Sequence, residues 1–326
     1  MKEILLLLAM FWNVENFFDT YDNPGKNDEE FTPMGENHWN RKKFEQKRDN
    51  LAKTIMLAAD TYGHFPAILG LCEVENQYVL EELAENTPLA RAGYSIIHKE
   101  SPDSRGIDVA LLYRNETFTP LTVKWYPLEF PTREILYTKG VVNGLDTLHI
   151  LVNHWPSKSG GEKSSLLKRY EAAKKTRYIT DSILTSYSKA NILLMGDFND
   201  SYKSLPMEYL MAPEKDFSGQ FADEEHLVNL APFAEGGDGT YKYQGEWSII
   251  DQFIVSANLV ARNNSSILPK WIYCKPHMEI FAPEFLLERD NTYMGIKMHR
   301  TYIGPRYNGG VSDHLPILLK FYTTAN

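Results

Sequence analysis

Four apolar runs in this chain each stop abruptly in a polar tip. Ile4–Trp12 ends in Asn13-Val14-Glu15-Asn16, and the strand expected over Pro66–Val74 ends in Glu73-Val74-Glu75-Asn76. Leu148–Asn153 ends in His154-Trp155-Pro156-Ser157-Lys158, and Ile192–Met195 ends in Gly196-Asp197-Phe198-Asn199. A run that is apolar at every position, rather than at every second one, reads as a strand buried on both faces. Three further strands are expected over Ile107–Tyr113, Trp247–Ser256 and Leu315–Tyr322. Asp108 lies near the start of the first, Asp251 inside the second, and Ser312-Asp313-His314 just ahead of the third. Helical spacing is rarer. Asn40 is placed to cap a helix over Arg41–Ala59, with Phe44, Leu51, Ile55 and Ala58 on one face and a charged opposite face read as solvated. A short helix around Glu81–Ala84 and a longer one over Ser164–Ser186 complete the set. Many buried strands and about three helices predict an α/β protein in which sheets pack on each other with helices outside. Polar residues at the strand ends then converge on one rim.

The chain has 326 residues, 43% hydrophobic and 24% charged, an ordinary globular balance. No linker, repeat or charge block divides it, so one large domain over residues 1–326 is expected, with long loops over Asp19–Trp39, Ser201–Gly245 and Lys275–Gly310. A net charge of -9 argues against tight nonspecific binding to long duplex nucleic acid, which depends on neutralising phosphates. It leaves room for a local basic or metal-bearing cleft. Cys72 and Cys274 are the only cysteines; they cannot form a disulfide framework or a cysteine-rich zinc site, and two buried thiols are expected. The N-terminal run is too short to span a membrane and lacks a complete signal peptide. The compartment therefore stays open: cytoplasmic if the chain is complete, exported if an upstream signal has been removed.

The polar set at the expected rim is rich in oxygen ligands. Asp197 and Asn199 are two apart, so in extended backbone they point the same way. A carboxylate beside a neutral amide suits a divalent cation and a phosphate oxygen held together; an Asx turn after a strand is the alternative for these two residues alone. With Asn13, Glu73, Asp108, His154, Asp251, Asp313 and His314, the set points to Mg²⁺ or Mn²⁺ rather than zinc. Such ions serve phosphate chemistry, and a histidine beside them activates water when a carboxylate fixes its tautomer. Neither a G-x-S-x-G nucleophile motif nor a P-loop is present.

Trp12-Asn13-Val14-Glu15, Cys72-Glu73, Asn153-His154, Gly196-Asp197-Phe198-Asn199, Ile250-Asp251 and Ser312-Asp313-His314 occur in an order that resembles the endonuclease/exonuclease/phosphatase superfamily. That group includes pancreatic-type deoxyribonuclease, apurinic endonucleases, sphingomyelinases and inositol-polyphosphate 5-phosphatases. The resemblance spans Trp12 to Pro316 and implies a four-layer α/β sandwich of two mainly antiparallel sheets with helices outside. It implies His314 as the base or as a stabiliser of the attacked phosphate, and Asp251 as the group that orients it. Glu73 and Asn13 would hold the metal, with Asp313 a further ligand or histidine partner. Asn199 and His154 would bind the scissile phosphate. Asp197 could position water, bind metal or protonate the leaving group, and Glu15 stands behind the metal ligands.

Other residues carry two readings each. Asp108 pairs either with His154 or with Arg105. Glu75 and Asn76 are placed to cap the following helix. Lys158 is a solvated loop lysine or a phosphate contact. Arg300, Tyr302, Arg306 and Tyr307 either line the substrate entrance, since Arg grips phosphate and aromatic rings stack on bases, or anchor a loop. The remaining histidines, His38, His64, His98, His149, His226, His277 and His299, belong to no motif and are read as structural or surface residues. The expectation is a metal-dependent phosphodiesterase or nuclease. A phosphomonoesterase acting on a phosphoinositide, nucleotide or sugar phosphate is the alternative, and a non-catalytic binding module stands behind both. The partner in either enzymatic case is the phosphate-ester substrate, whether nucleic acid, lipid head group or small phosphate. No transmembrane segment and no obligate protein partner is evident.

Overall fold

The computed structural model describes residues 3–158, 161–212, 227–260 and 272–324. The first sheet is built around β1 (Glu3–Phe17), β2 (Ile68–Val74), β3 (Tyr94–His98) and β4 (Asp108–Arg114). β1 runs parallel to β2 and antiparallel to the last strand, Ile317–Thr324; β4 lies antiparallel between β2 and β3. The expected N-terminal strand is therefore central. The second sheet runs β5 (Phe118–Tyr126), β6 (Ile135–Val142), β7 (Asp146–His154), β8 (Ile192–Asp197), then Asp251–Ser256 and β9 (Leu227–Asn229). All its neighbours are antiparallel except β7 and β8.

The parallel pairs β1–β2 and β7–β8 are each bridged by a helix, because parallel strands need a long crossover. α1 (Arg41–Tyr62) joins β1 to β2, and α3 (Glu162–Ser186) joins β7 to β8. The expected cap holds: the Asn40 side chain accepts from Lys43 N at the start of α1. So does Asn76, which accepts from Val79 N and starts α2 (Gln77–Glu85). Glu75 instead accepts from Asp19 N at 2.6 Å and tethers the loop after β1.

β8 shows why its run is apolar throughout. Leu193 and Met195 join the core between the two sheets, whereas Ile192 and Leu194 join the core under α3 and α4 (Leu205–Met211). Successive side chains point to opposite faces, so a strand covered on both sides needs apolar residues at every position. Losing one of these side chains to alanine costs about 2–5 kcal/mol. The sandwich is therefore α1 and α2, first sheet, second sheet, α3 and α4.

The structure departs from the sequence reading in several places, and the strands β3, β5 and β6 are absent from that reading altogether. β1 does not stop at Asn13 but continues to Phe17 past a register shift. Trp247–Ser256 is two strands, Glu246–Ser248 and Asp251–Ser256, because Ile250 N and Asp251 N both turn to Thr240 Oγ1. The region Ser201–Gly245, expected to be irregular, contains α4; its residues 213–226 lie outside those described. Cys72 and Cys274 are both buried thiols outside any disulfide, as expected.

Candidate active site

The polar tips meet on one rim, and the hydrogen-bond registers place them there. In the second sheet Asp197 is the register partner of His154 on one side and Asp251 on the other. Three chemical side chains thus stand side by side on one rung of three strands. The first sheet supplies Asn13, opposite Cys72, and Glu73 immediately after it.

Backbone distortion aims the first sheet's groups. Glu15, Asn16, Glu73 and Asn199 have φ of 50°, 53°, 61° and 51°. Asn tolerates this left-handed region, but Glu does so only when its surroundings hold it there, at about 1–3 kcal/mol. The register breaks between Asn13 and Phe17 and between Cys72 and Val74 are bulges that contain Glu15, Asn16 and Glu73, a usual device for re-aiming a side chain. The turned Glu73 is locked: Asn16 N donates to Oε2 at 3.0 Å and Asn13 Nδ2 to Oε1 at 3.3 Å.

His314 and Asp251 form a buried dyad, with Nδ1 2.8 Å from Asp251 Oδ2. His314 Nε2 faces Asp197 Oδ2 at 3.8 Å. Burial opposes the imidazolium, but Asp251 and Asp197 outweigh it, so the His314 pKa is held well above its ordinary value. The segment is pinned at both ends: Trp12 Nε1 donates to His314 O, and Ser312 Oγ to Asn13 O. Burial pushes Asp197 up to about 7; the His314 charge opposes this and Asp251 adds to it.

His154 is the other histidine. Its Nε2 lies 3.8 Å from Glu73 Oε1 and 3.7 Å from Asp197 Oδ2. Burial, then Arg133 and Arg105, hold it well below the ordinary histidine range, so it is neutral. The expected Asp108 contact is absent. Asp108 bonds His98 Nε2 at 2.9 Å and takes Ser101 N at 2.8 Å. Arg105 is not its partner either; Arg105 Nε lies 3.7 Å from Asp103. Both sequence readings of Asp108 are thus corrected: β3 pairs with β4 and brings His98, from outside every motif, to the buried carboxylate. His154 Nδ1 is buried with no hydrogen-bond partner.

The remaining candidates are braced rather than open. Asp313 and Glu15 are both gripped by Arg300, whose Nη2 lies 3.0 Å from Asp313 Oδ2 and 2.9 Å from Glu15 Oε1. Lys158 is 57% exposed and 3.4 Å from Asp200, so it sits on a solvated rim. Asn199 Nδ2 donates to Trp155 O, and Asn199 N to Asp197 Oδ1. Tyr302 and Tyr307 act as loop anchors: their hydroxyls donate to Asn37 O and Gln46 Oε1.

Sequence reasoning missed Arg133 and Tyr241. Arg133 is buried, pairs with Asp103 at 2.8 Å and donates to Trp155 O beside His154; no motif marks it. Tyr241 lays its ring 4.9 Å from that of His314, through a bridge between the two residues that only the fold creates.

The donor set fits an oxygen-seeking divalent cation. Glu73 Oε1 and Asp197 Oδ2 both converge on Asn13 Nδ2, at 3.3 and 3.0 Å, an arrangement of hard oxygen donors. Among the described residues three other groupings have ligand atoms within 4.8 Å of one another: Cys72 with His154 and Asp197, Asp197 with Asp251 and His314, and His98 with Glu100 and Asp108, whose histidine is already bonded to Asp108. They fit less well. Burial, then Asp197, pushes the Cys72 thiol well up, so it stays protonated and ligates poorly. In the second grouping His314 Nδ1 is already committed to Asp251. Asn13 turns its NH₂ toward the carboxylates while its Oδ1 takes Glu15 N, so it ligates only by its second lone pair or after an amide rotation.

At one rim of the two-sheet sandwich a histidine–carboxylate dyad thus faces clustered carboxylates. The chain belongs to the endonuclease/exonuclease/phosphatase family, whose model matches residues 8–323; members are phosphoester hydrolases, generally dependent on a divalent metal, and this chain is a phosphoester hydrolase. Similar solved structures include an endonuclease/exonuclease/phosphatase family protein from Bacteroides thetaiotaomicron, 14% identical, covering 100% of both chains with a TM-score of 0.56. A mannosyl-6-phosphatase from the same organism is 15% identical, covers 97% of this chain and 99% of its own, and has a TM-score of 0.57. A humanized D. rerio TDP2 is 13% identical, covers 98% and 99%, and has a TM-score of 0.54. At these identities the likeness is one of fold. No curated protein matches the sequence. Among the described residues no helix is long and apolar enough to cross a membrane.

Proposed function

We propose that the protein is a divalent-metal-dependent phosphodiesterase in which His314 activates water, within one domain spanning the two sheets. The observation that carries this reading is the buried 2.8 Å contact of His314 Nδ1 with Asp251. It fixes the ring so that Nε2 faces the carboxylate cluster, where water and phosphate would meet. Asp251 holds the tautomer and stabilises the imidazolium as the proton arrives. Glu73 holds Mg²⁺ or Mn²⁺ with Asn13 beside it; the metal-ligand reading of Asp313 has less support, since Arg300 holds that carboxylate. Bound there, the ion supplies charge that neutralises phosphate oxygens, stabilises the leaving alkoxide and lowers the proton affinity of His314. Neutral His154 donates to a phosphate oxygen without adding charge, and Asn199 does the same. Asp197 receives or returns a proton near neutral pH.

A diester is favoured over a monoester by the cations. Arg105, Arg133, Lys158 and Arg300 are each within 4.0 Å of a carboxylate. None is left over to neutralise the second charge of a monoester dianion. The named phosphatase among the structural neighbours keeps the monoesterase reading alive. A panel of plasmid DNA, RNA, phosphoinositides, sugar phosphates and bis-(p-nitrophenyl) phosphate, with and without Mg²⁺ or Mn²⁺, separates the two. Metal-dependent cleavage of a diester, abolished by EDTA and by His314→Ala, is expected. Full activity in His314→Ala removes that residue from the mechanism, and hydrolysis of monoesters alone overturns the diester assignment.

A further inference from the structure

One buried cation takes no part in the chemistry above. Lys47 lies on α1 and is 1% exposed. Its ammonium donates to Thr301 Oγ1 at 2.6 Å and to Val311 O at 2.7 Å, both neutral oxygens. Burying an ammonium costs several kcal/mol, and α1 would pack at that position with an apolar side chain. Burial pulls the Lys47 pKa down to about 8, against the opposing pull of Glu15, Asp313 and Glu73, so it remains charged at neutral pH.

The two oxygens it binds belong to the two arms of one loop. Asn308 N donates to Thr301 O, and Val311 N to His299 O, closing a hairpin over residues 299–311. Gly310 permits that closure, since a Cβ there would lie 2.0 Å from His299 O. One arm carries Arg300, which grips Glu15 and Asp313, and Thr301, whose N–H donates to Glu15 Oε2 at 2.8 Å. The other arm runs through Val311 into Ser312 and His314, where Ser312 Oγ accepts from His314 N at 3.0 Å. A single ammonium therefore clamps the hairpin at its base, one arm leading to Asp313 through Arg300 and the other to His314 through the chain itself.

We propose that Lys47 is a positioning residue for phosphoester hydrolysis: from beneath the site it clamps the 299–311 hairpin to α1 and so holds His314 and Asp313 in register with the carboxylates of the opposite sheet. It touches neither substrate nor metal. The proposal rests on the hydrolase reading above. Displacing a reacting group by about 1 Å can cost about 100-fold in rate, which is the scale on which such a clamp acts.

The test compares wild-type protein with Lys47→Met, which keeps the length of the side chain, and Thr301→Val, which leaves the lysine and removes one of its acceptors. Hydrolysis of the best substrate from the panel is measured beside thermal unfolding and backbone hydrogen exchange. In Lys47→Met we expect a Tm within a few degrees of wild type, kcat lower by about 10- to 100-fold and KM within about twofold. Thr301→Val should lose part of the same factor, and the double variant less than the product of the two losses, because both act through one clamp. Exchange at the amides of Thr301, Val311 and His314 should rise about tenfold while the amides of α1 stay protected. Unchanged kcat in folded Lys47→Met, or losses that multiply in the double variant, overturns the proposal. A wild-type protein that hydrolyses nothing in the panel sinks the functional reading instead. In that case unchanged exchange over residues 299–314 overturns the clamp and raised exchange upholds it.

Discussion

Asp251 is buried, its Oδ2 is spent on His314 and its Oδ1 has no hydrogen-bond partner. A carboxylate so placed has one task, to hold a ring. Replacing it by asparagine keeps the shape but removes the charge and can hold the wrong tautomer. Asp251→Asn is therefore expected to lower kcat by about 10²–10⁴-fold with a smaller change in KM, measured with the best diester of the panel; an unaltered kcat would separate Asp251 from the chemistry. Glu73 makes a different prediction. Its strained backbone, φ 61°, holds its carboxylate beside Asp197. Glu73→Gln should weaken Mn²⁺ binding by at least about tenfold in calorimetry, and a larger loss in Asp197→Asn than in Glu73→Gln would make Asp197 the principal ligand. Glu73 was legible in the sequence because it ends an apolar run, and Asp251 because it is a lone carboxylate within one. Lys47 is not legible in this way: the sequence places it among the solvated charges of α1, although Phe44, Lys47 and Leu51 share helical spacing, and a single charge in an apolar stripe gives no hint of its acceptors 254 and 264 residues away.

Among the elements, the pair β7–β8 carries most of the site, and Gly196 sets how closely its strands approach. A Cβ there would lie 2.4 Å from Asn153 O and 2.7 Å from Asn153 Cβ, so backbone must move. Gly196→Ala is expected to destabilise the protein by about 1–3 kcal/mol and to lower activity by shifting Asp197 relative to His154; denaturant unfolding and kcat measure the two effects. At the far end of β7, His149 is buried against the Tyr137 hydroxyl, 2.9 Å from Nδ1. Burial, with help from Lys139, pulls its pKa down to about 4. Between about pH 6.5 and pH 4 the unfolded chain binds the proton and the folded one does not. His149 thus contributes stability above pH 6.5 that is lost as pH falls toward 4. His149→Gln should flatten that part of the Tm–pH curve, and an identical slope in both proteins would locate the dependence elsewhere. The positions of β1, β2, β4, β7 and β8 were legible from apolar runs, and helix starts from Asn40 and Asn76, whereas β3, β5 and β6 were not. The bulges were not, because a register break depends on the partner strand.

At the scale of the molecule, the metal candidates come from both sheets: Asn13 and Glu73 from one, Asp197 from the other. The unfolded chain cannot assemble them, so a cation that binds there stabilises only the folded state. At about 100 times its Kd, Mn²⁺ should add about 2.7 kcal/mol and raise Tm by several degrees, and Glu73→Gln should largely remove the shift. A Tm indifferent to Mn²⁺ and Mg²⁺ would argue against a metal held by this set. The sequence by itself determined the layered α/β architecture, since strands covered on both faces must be apolar throughout and can only stack. It also determined which residues stand at the strand ends, because the polar tips begin where the apolar runs cease. The tertiary structure alone decided how those ends are wired. It gave Asp108 to His98 instead of His154, Asp313 to Arg300, and a buried lysine to the hairpin ahead of His314. Those choices depend on which strands become neighbours and on where two loops hundreds of residues apart meet, and neither is written in any local stretch of sequence.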